Sequence, residues 1–133
     1  MNKNSNIGFI GLGNMGKPIF DHLNKKFSNI FCFDKDTSKL KKNNSSSSLI
    51  EIFEKCKIII FCIESNEQII DIIKKNIIKK NTVIVDLTSS LPDLTKKISS
   101  YLKKFESHYI DAGMSGGASG ATDGTLTLML GGS

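Results

Sequence analysis

Short apolar runs alternate with amphipathic stretches along this chain of 133 residues. Runs such as Ile58–Ile63 lack the polar alternation of a half-exposed strand, and uninterrupted apolar runs are typical of parallel strands covered on both faces. Two further strand candidates flank a glycine-rich stretch near the end of the chain. The predicted strands are Asn6–Gly11, Asn29–Asp34, Ile58–Ile63, Thr82–Leu87, Tyr109–Ala112 and Thr125–Leu130.

Apolar residues at helical spacing predict helices between these strands. In the first helix, Met15, Ile19 and Leu23 form one apolar stripe, and Pro18 lies in the first turn, where proline is tolerated. The serine-rich run Asn43–Ser48 is predicted as a loop with room for a short edge strand, and not as a linker at a domain boundary. The predicted helices are Asn14–Lys26, a short helix that runs through Lys42, Leu49–Lys55, Glu67–Lys75 and Pro92–Lys104. Thr37 or Ser38 is the predicted N-cap of the short helix, and Ser48 is the predicted N-cap of Leu49–Lys55. Ile77 continues the helical spacing of the isoleucines in Glu67–Lys75.

Strands that alternate with helices imply right-handed crossovers and a mainly parallel sheet. The sequence therefore predicts an α/β fold, a doubly wound and mainly parallel sheet of the Rossmann type, with residues 1–133 as one domain. A doubly wound domain normally continues to another helix and strand. Because this chain stops at Gly131-Gly132-Ser133, directly after a strand, we expect the domain to be incomplete at its C-terminal end.

Composition narrows the class of protein. A hydrophobic content of 39% and a charged content of 23% are typical of globular domains. No run approaches the roughly 18 apolar residues that a membrane span needs, and the N-terminus lacks a signal peptide, so we expect a cytoplasmic protein without a membrane partner. The net charge is +5, but every basic residue is a lysine and aromatic residues are few. We therefore predict a solvated lysine-rich surface and no nucleic-acid partner.

The cysteines and histidines give no sign of a metal or nucleophilic site. Cys32, Cys56 and Cys62 lie in or beside apolar runs without zinc-ligand spacing, which predicts buried free thiols. His22 is placed on the solvent side of the first helix, and His108 in a turn before a strand. No catalytic residue or metal ligand is assigned.

The most informative stretch is Ile7–Gly16, in which an apolar strand leads into a glycine turn and then into a helix. Gly11, Gly13 and Gly16 have the G-x-G-x-x-G spacing. In a dinucleotide site the first glycine allows the tight turn, the second lets the backbone approach a pyrophosphate, and the third lets helix and strand pack closely. The N-terminus of the following helix attracts the phosphate charge. The placement of the glycines between strand and helix predicts a dinucleotide site.

Asp34 ends the second predicted strand, 18 positions after Gly16. A carboxylate in this place accepts hydrogen bonds from the ribose hydroxyls of NAD and repels the 2′-phosphate of NADP. NAD is therefore the predicted cofactor. NADP is not excluded, because Lys35, Lys39, Lys41 and Lys42 follow closely and partly offset that repulsion. The alternative is that Asp34 only caps a turn.

Three motifs in this order closely resemble those of the β-hydroxyacid dehydrogenases, the family that includes 3-hydroxyisobutyrate dehydrogenase and is related to 6-phosphogluconate dehydrogenase. The first, over residues 8–18, is GFIGLGNMGKP. The second, over residues 86–92, is DLTSSLP and is similar to the family's motif beside the nicotinamide. The third begins with DAGMSGG at residue 111 and ends with GTLTLMLGG at residue 132, and it resembles the substrate-binding segment.

This resemblance implies an NAD(P)-binding domain of an oxidoreductase that transfers hydride between a small β-hydroxyacid and the nicotinamide. It assigns the glycine loop to the pyrophosphate, Asp34 to the adenosine ribose, and Ser89 to a place near the nicotinamide. The implied cofactor-binding residues are Gly11, Leu12, Gly13, Asn14, Met15, Gly16, Asp34, Ile63, Glu64, Gln68 and Ser89, and the implied substrate-binding residues are Ser115, Gly116 and Gly117. Intact family members are homo-oligomers.

The sequence departs from the family's pattern in ways that leave the substrate open. Glu64 replaces the usual proline, Ser89 replaces a threonine, and Gly113-Met114 replaces the commoner Pro-Val pair. The family's general acid/base is a lysine on the first helix beyond the Rossmann domain, so no lysine of this chain is assigned as catalytic, and we expect the family's C-terminal helical domain to be absent. The alternatives are an inert NAD(P)-binding fragment, half of a split enzyme, or the 6-phosphogluconate dehydrogenase branch.

The ribose role of Asp34 leads to a first testable prediction. Asp34→Ala should weaken the binding of NAD more than that of NADP, because only NAD offers two free hydroxyls to the carboxylate. Titration calorimetry with both dinucleotides measures the difference. An equal loss for both would contradict the ribose role.

Overall fold

The computed structural model describes residues 5–40, 47–88 and 91–132, and within these ranges the predicted α/β fold is confirmed. Element boundaries mostly differ from the predictions by a residue or two, as they do between assignment methods. In chain order the elements are β1 (Ile7–Ile10), α1 (Gly16–Lys26), β2 (Ile30–Phe33), a 3₁₀ turn (Thr37–Lys39), α2 (Leu49–Lys55), β3 (Ile58–Phe61), α3 (Asn66–Lys74), β4 (Val83–Asp86), α4 (Pro92–Lys103), β5 (His108–Ser115), α5 (Gly117–Asp123) and β6 (Thr127–Gly132).

The strands form one sheet in the order β2-β1-β3-β4-β5-β6. Neighbouring strands from β2 to β5 are parallel, and β5 and β6 are antiparallel. The chain moves from β1 to β2 on one side and then crosses to β3 on the other side. The order of strands thus reverses between β1 and β3, and in open α/β sheets a ligand crevice lies outside the carboxyl ends of the strands at such a point.

Two apolar clusters cover the two faces of the sheet. On one face, residues of α2, α3 and α4 pack against Ile59, Phe61 and Ile84, which are fully buried. On the other face, Phe20 of α1 packs against Phe9 with ring centroids 5.9 Å apart. All four residues of β1 are buried, as expected for a central strand covered on both sides. The burial explains the uninterrupted apolar runs in the sequence.

The register brings the carboxyl ends of the central strands to one level. Ile10 lies opposite both Phe33 and Phe61, and Phe61 lies opposite Asp86. The hydrogen-bonded ladder continues for one residue beyond β1, since the amide of Gly11 donates to Phe33 O at 2.9 Å. The loops that follow β1, β2, β3 and β4 therefore emerge beside one another.

The N-cap of α2 is the predicted residue, whereas the N-cap of the 3₁₀ turn is a different one. The Ser48 hydroxyl accepts a hydrogen bond from the amide of Glu51 at 3.1 Å and caps α2 as predicted. The 3₁₀ turn is capped by Asp36, which accepts from the amide of Ser38, and the prediction of Thr37 or Ser38 as the cap was wrong. A carboxylate one residue earlier is the stronger acceptor. Lys42 and most of the predicted serine-rich loop lie outside the described residues.

One residue of the predicted apolar side of α3 lies elsewhere. The helix ends at Lys74, within one residue of the predicted end, but Ile77 is 83% exposed. Ile78 is buried in the core in its place. The helical spacing of the isoleucines continues past the end of the helix, so spacing alone could not show that Ile77 faces solvent.

Helix α5 was not predicted, because glycine costs about 1 kcal/mol per residue in a helix interior. It is held by tertiary contacts: Ala121 is 1% exposed, and His22 of α1 hydrogen-bonds to the carbonyl of Thr122 at 2.8 Å. His22, which was predicted on the solvent side, is thus half-buried and contacts α5. Since α5 has only seven residues, too few for a usual parallel crossover, the chain turns back and β6 runs antiparallel to β5, with Ser115 opposite Thr127.

The three thiols are free, as predicted, with Cys32 and Cys56 buried and Cys62 half-buried. His108 is the first residue of β5 and is exposed. Within the described ranges, no helix combines the length and the apolar character needed to cross a membrane.

Candidate dinucleotide-binding site

A cavity of about 690 Å³ lies at the carboxyl ends of β1 to β5, where the strand order reverses. Its volume is within the range of ligand pockets. Most of the residues that the sequence assigns to the cofactor line it: Gly11, Gly13, Asn14, Met15, Gly16, Asp34, Ile63, Glu64 and Gln68. Leu12 is 3% exposed and packs in the apolar cluster on the α1 face of the sheet, and Ser89 lies outside the described residues.

The three glycines of the loop differ in what surrounds them. Gly11 has φ +107°, and a Cβ atom there would lie 2.1 Å from the carbonyl oxygen of Cys62. A Cβ atom on Gly16 would lie 2.0 Å from the carbonyl oxygen of Gly11. Both positions need glycine for the fold itself. A Cβ atom on Gly13 would meet nothing within 4 Å, so the fold does not need a glycine there.

The N-terminus of α1 faces the same cavity through Met15 and Gly16. Met15, the residue before the helix, makes no side-chain cap, and the first turn carries no acidic residue. The first N–H groups of a helix have no partner within the helix, and the helix dipole places partial positive charge there. This end of α1 suits an anion, and phosphate groups bind at such ends. Gly13 and α1 together fit a pyrophosphate.

Asp34 caps a turn and also lines the cavity. It is 9% exposed, and its two carboxylate oxygens accept hydrogen bonds from the amides of Leu12, at 2.7 Å, and Asp36, at 2.8 Å. Each carboxylate oxygen can accept a second bond, so these contacts leave acceptor capacity for a ribose. Removing the side chain would also remove the acceptor of the Leu12 amide and loosen the glycine loop, so we expect it to weaken the binding of both NAD and NADP. Only the difference between NAD and NADP therefore reports on the 2′ position.

The far side of the cavity is formed by the loops after β3 and β4. Cys62, Ile63 and Glu64 follow β3, and Leu87 and Thr88 follow β4. Burial, and then the nearby charge of Asp86, raise the pKa of the Cys62 thiol to about 11. The thiol thus stays protonated near neutral pH and is a poor nucleophile.

Sequence reasoning left several residues that line the cavity unassigned, and Thr88 and Met114 are two of them. Thr88 follows the carboxyl end of a parallel strand, which is the signal that could have identified it. Ser115, Gly116 and Gly117, the predicted substrate segment, are exposed where β5 meets α5. They follow Met114 directly but are not among the described residues that line the cavity.

Comparison with known proteins agrees with this geometry. Residues 6–133 match the family described as the NAD binding domain of 6-phosphogluconate dehydrogenase. The chain belongs to this family. The resemblance to the β-hydroxyacid dehydrogenases is thereby confirmed, and a nicotinamide dinucleotide is the cofactor class of the domain.

Two curated relatives are similar over nearly the whole chain. A 2-(hydroxymethyl)glutarate dehydrogenase of Eubacterium barkeri is 34% identical over 148 residues, covering 100% of this chain and 48% of the relative. A mitochondrial 3-hydroxyisobutyrate dehydrogenase of Mus musculus is 33% identical over 138 residues, covering 95% of this chain and 41% of the relative. The chain thus spans less than half the length of these relatives.

A solved structure supports the fold. The Mycobacterium tuberculosis 3-hydroxyisobutyrate dehydrogenase with L-serine superposes with a TM-score of 0.89 at 21% identity, over 96% of this chain and 46% of that one. At this identity the likeness concerns the fold, and it agrees with the sheet order and the helix layers described above.

The surroundings of the glycines lead to a second prediction. Gly13→Ala should fold like the parent chain, because its Cβ atom meets open space, yet it should bind NAD at least about tenfold more weakly, a loss of about 1.4 kcal/mol. The added methyl group would occupy the space that the phosphates need. Thermal unfolding and calorimetry measure the two effects.

Two other glycines serve as controls. Gly131→Ala, whose Cβ atom would lie 3.9 Å from its nearest neighbour, should leave folding and binding unchanged, and Gly16→Ala should destabilise the fold. If Gly13→Ala bound NAD as tightly as the parent chain, the glycine loop would not hold the phosphates.

Proposed function

We propose that this chain binds NAD as the cofactor domain of a β-hydroxyacid dehydrogenase. The observation that carries the proposal is Gly13, which lines the cavity at the start of α1 although the fold itself does not require a glycine there. A requirement imposed by a ligand accounts for it, and the ligand is one that brings a pyrophosphate close to backbone amides. Membership of a family of NAD-binding domains supports the same reading.

The order of the sheet orients the dinucleotide in this proposal. The pyrophosphate lies at the glycine loop after β1, and the adenosine ribose lies beside Asp34 at the end of β2. The nicotinamide then extends in the opposite direction, over the loops after β3 and β4, toward Met114. Ser115, Gly116 and Gly117 follow Met114 and so come next to the reacting end of the cofactor, where a hydroxyl and backbone amides suit a substrate carboxylate.

The preference for NAD over NADP rests on charge. The carboxylate of Asp34 disfavours a 2′-phosphate, whereas Lys35 and Lys39 also line the cavity and favour one. Both lysines are exposed, so solvent screens them more than it screens the buried Asp34. We propose that Asp34 has the larger effect and that NADP binds more weakly.

The names of the relatives point to a class of substrate. 2-(Hydroxymethyl)glutarate and 3-hydroxyisobutyrate both carry a hydroxymethyl group on the carbon next to a carboxylate. We propose a substrate of this class. Oxidation of its alcohol to an aldehyde transfers hydride to the nicotinamide, which is the chemistry that the cofactor supplies. The predicted cytoplasmic location stays a prediction, because the mouse relative is named as mitochondrial.

The second candidate function is a binding module without turnover. Oxidation of the alcohol needs a group that accepts the hydroxyl proton. Near the proposed nicotinamide end, Cys62 stays protonated at neutral pH because its pKa is raised to about 11. The lysines that line the described part of the cavity follow β2, at the opposite end. The thiol and these lysines are therefore poorly placed as proton acceptors, whereas the carboxylates of Glu64 and Asp71 also line the cavity. We propose cofactor binding by this chain and a proton acceptor supplied by another segment or another chain.

A third prediction tests the proposed function. Calorimetry on the 133-residue chain should detect NAD binding, with a smaller affinity for NADP. Mixing the NAD complex with 3-hydroxyisobutyrate, 2-(hydroxymethyl)glutarate or 6-phosphogluconate should give no reduced nicotinamide above the blank. A well-folded chain that takes up neither dinucleotide would contradict the cofactor role. Turnover with an acid would exclude the binding module and identify the substrate branch.

A further inference from the structure

The loops after β3 and β4 are joined to each other at the wall of the cavity. The backbone amide of Ile63 donates a hydrogen bond to the hydroxyl oxygen of Thr88 at 3.2 Å, across 25 positions of sequence. Both residues line the cavity, and Thr88 is 4% exposed. A side-chain hydroxyl of one loop thus fixes the backbone of the other.

Thr88 is itself held from the core of the sheet. Its backbone amide donates to the Oδ1 atom of Asp86 at 2.7 Å, and the hydroxyl of Tyr109 on β5 donates to the Oδ2 atom of the same carboxylate. Asp86 is fully buried and Tyr109 is 2% exposed. A buried group with satisfied hydrogen bonds is held rigidly, since each bond would be costly to leave unmade. The hydrogen bonds therefore run from β5 through β4 to both loops.

A second contact joins the same two loops at the start of their helices. The Asn66 side chain, which is 1% exposed, donates to the carbonyl of Leu91 at 3.5 Å, a longer bond than the first. Glu64 lies between Ile63 and Asn66. The segment after β3 is thus attached to the segment after β4 on both sides of a residue that lines the cavity.

We propose that Thr88 is a positioning residue that holds the backbone at Ile63 in the shape that accepts the nicotinamide half of the dinucleotide. The inference rests on the proposed function, because the orientation of the dinucleotide follows from the glycine loop and Asp34. A loop fixed before binding loses less conformational freedom when the ligand arrives, which increases affinity. In the proposed orientation the adenosine half lies beside Asp34, on the other side of the glycine loop, so we expect it to depend less on this hydrogen bond.

The test compares two ligands on two variants of the full chain. Thr88→Val replaces the hydroxyl by a methyl group of similar size, and Thr88→Ser keeps the hydroxyl. ADP-ribose carries the adenosine and the pyrophosphate but lacks the nicotinamide ring, so NADH and ADP-ribose together separate the two halves of the site. Calorimetry gives the affinities, and circular dichroism reports on folding.

Loss of one hydrogen bond changes an equilibrium by up to about tenfold. We expect Thr88→Val to bind NADH several-fold to about tenfold more weakly and ADP-ribose within about twofold of the parent chain, with Thr88→Ser restoring NADH binding. An unchanged affinity for NADH in Thr88→Val would overturn the proposal. An equal loss for both ligands would also overturn it, since it would indicate a general structural role. Failure of the parent chain to bind either ligand would instead contradict the proposed function.

A second pair of variants decides the question if Thr88→Val does not fold. Tyr109→Phe removes the hydroxyl that holds Asp86 and leaves Thr88 in place. We expect it to weaken NADH binding by a smaller factor and to leave ADP-ribose binding unchanged. Tyr101→Phe is the matched control, because Tyr101 lies on α4, packs against Phe105 with the two rings tilted, and does not line the cavity. This variant should bind both ligands like the parent chain. Equal affinities for NADH in Tyr109→Phe and Tyr101→Phe would overturn the proposal.

Discussion

The candidate site depends on one close contact, the approach of the glycine loop to the neighbouring strand and helix. The carbonyl oxygen of Cys62 lies 2.1 Å from the place that a Cβ atom of Gly11 would take, and the carbonyl oxygen of Gly11 lies 2.0 Å from the place that a Cβ atom of Gly16 would take. These contacts bring the end of β1, the start of α1 and the end of β3 together at the reversal point of the sheet. The cavity, the position of the N-terminus of α1 at its wall and the open position at Gly13 all follow from that approach.

The same aspartate turn occurs twice at this edge of the sheet. Asp34 lies just after β2 and Asp86 ends β4, and each carboxylate accepts the amide of the residue two positions later, which is a common turn for aspartate. The other oxygen of each carboxylate reaches a distant element: the amide of Leu12 in one case and the hydroxyl of Tyr109 in the other. Asp34 thus supports the adenosine side of the proposed site, and Asp86 supports the loops on the nicotinamide side.

Family membership and geometry address different parts of the function. The family match identifies a nicotinamide dinucleotide domain, and the cavity explains how these residues would hold one. The activity of a dehydrogenase needs a proton acceptor and a closed substrate site as well. The chain spans less than half the length of these two curated relatives, so a proton acceptor and a closed substrate site are proposals for this protein. In the proposed function, this chain contributes the binding and orientation of the cofactor.

The sequence by itself determined the parts of this protein that depend on local spacing. The apolar runs of the buried strands, the helical stripe of α1, the cap at Ser48 and the glycine spacing are patterns within a few residues, and each predicted its element. Only the tertiary structure decided features that join distant segments: the packing of glycine-rich α5, the contact of His22 with Thr122, the antiparallel β6 and the link from Thr88 to Ile63. These depend on which strands become neighbours, and a pattern within one segment carries no information about its neighbours in space.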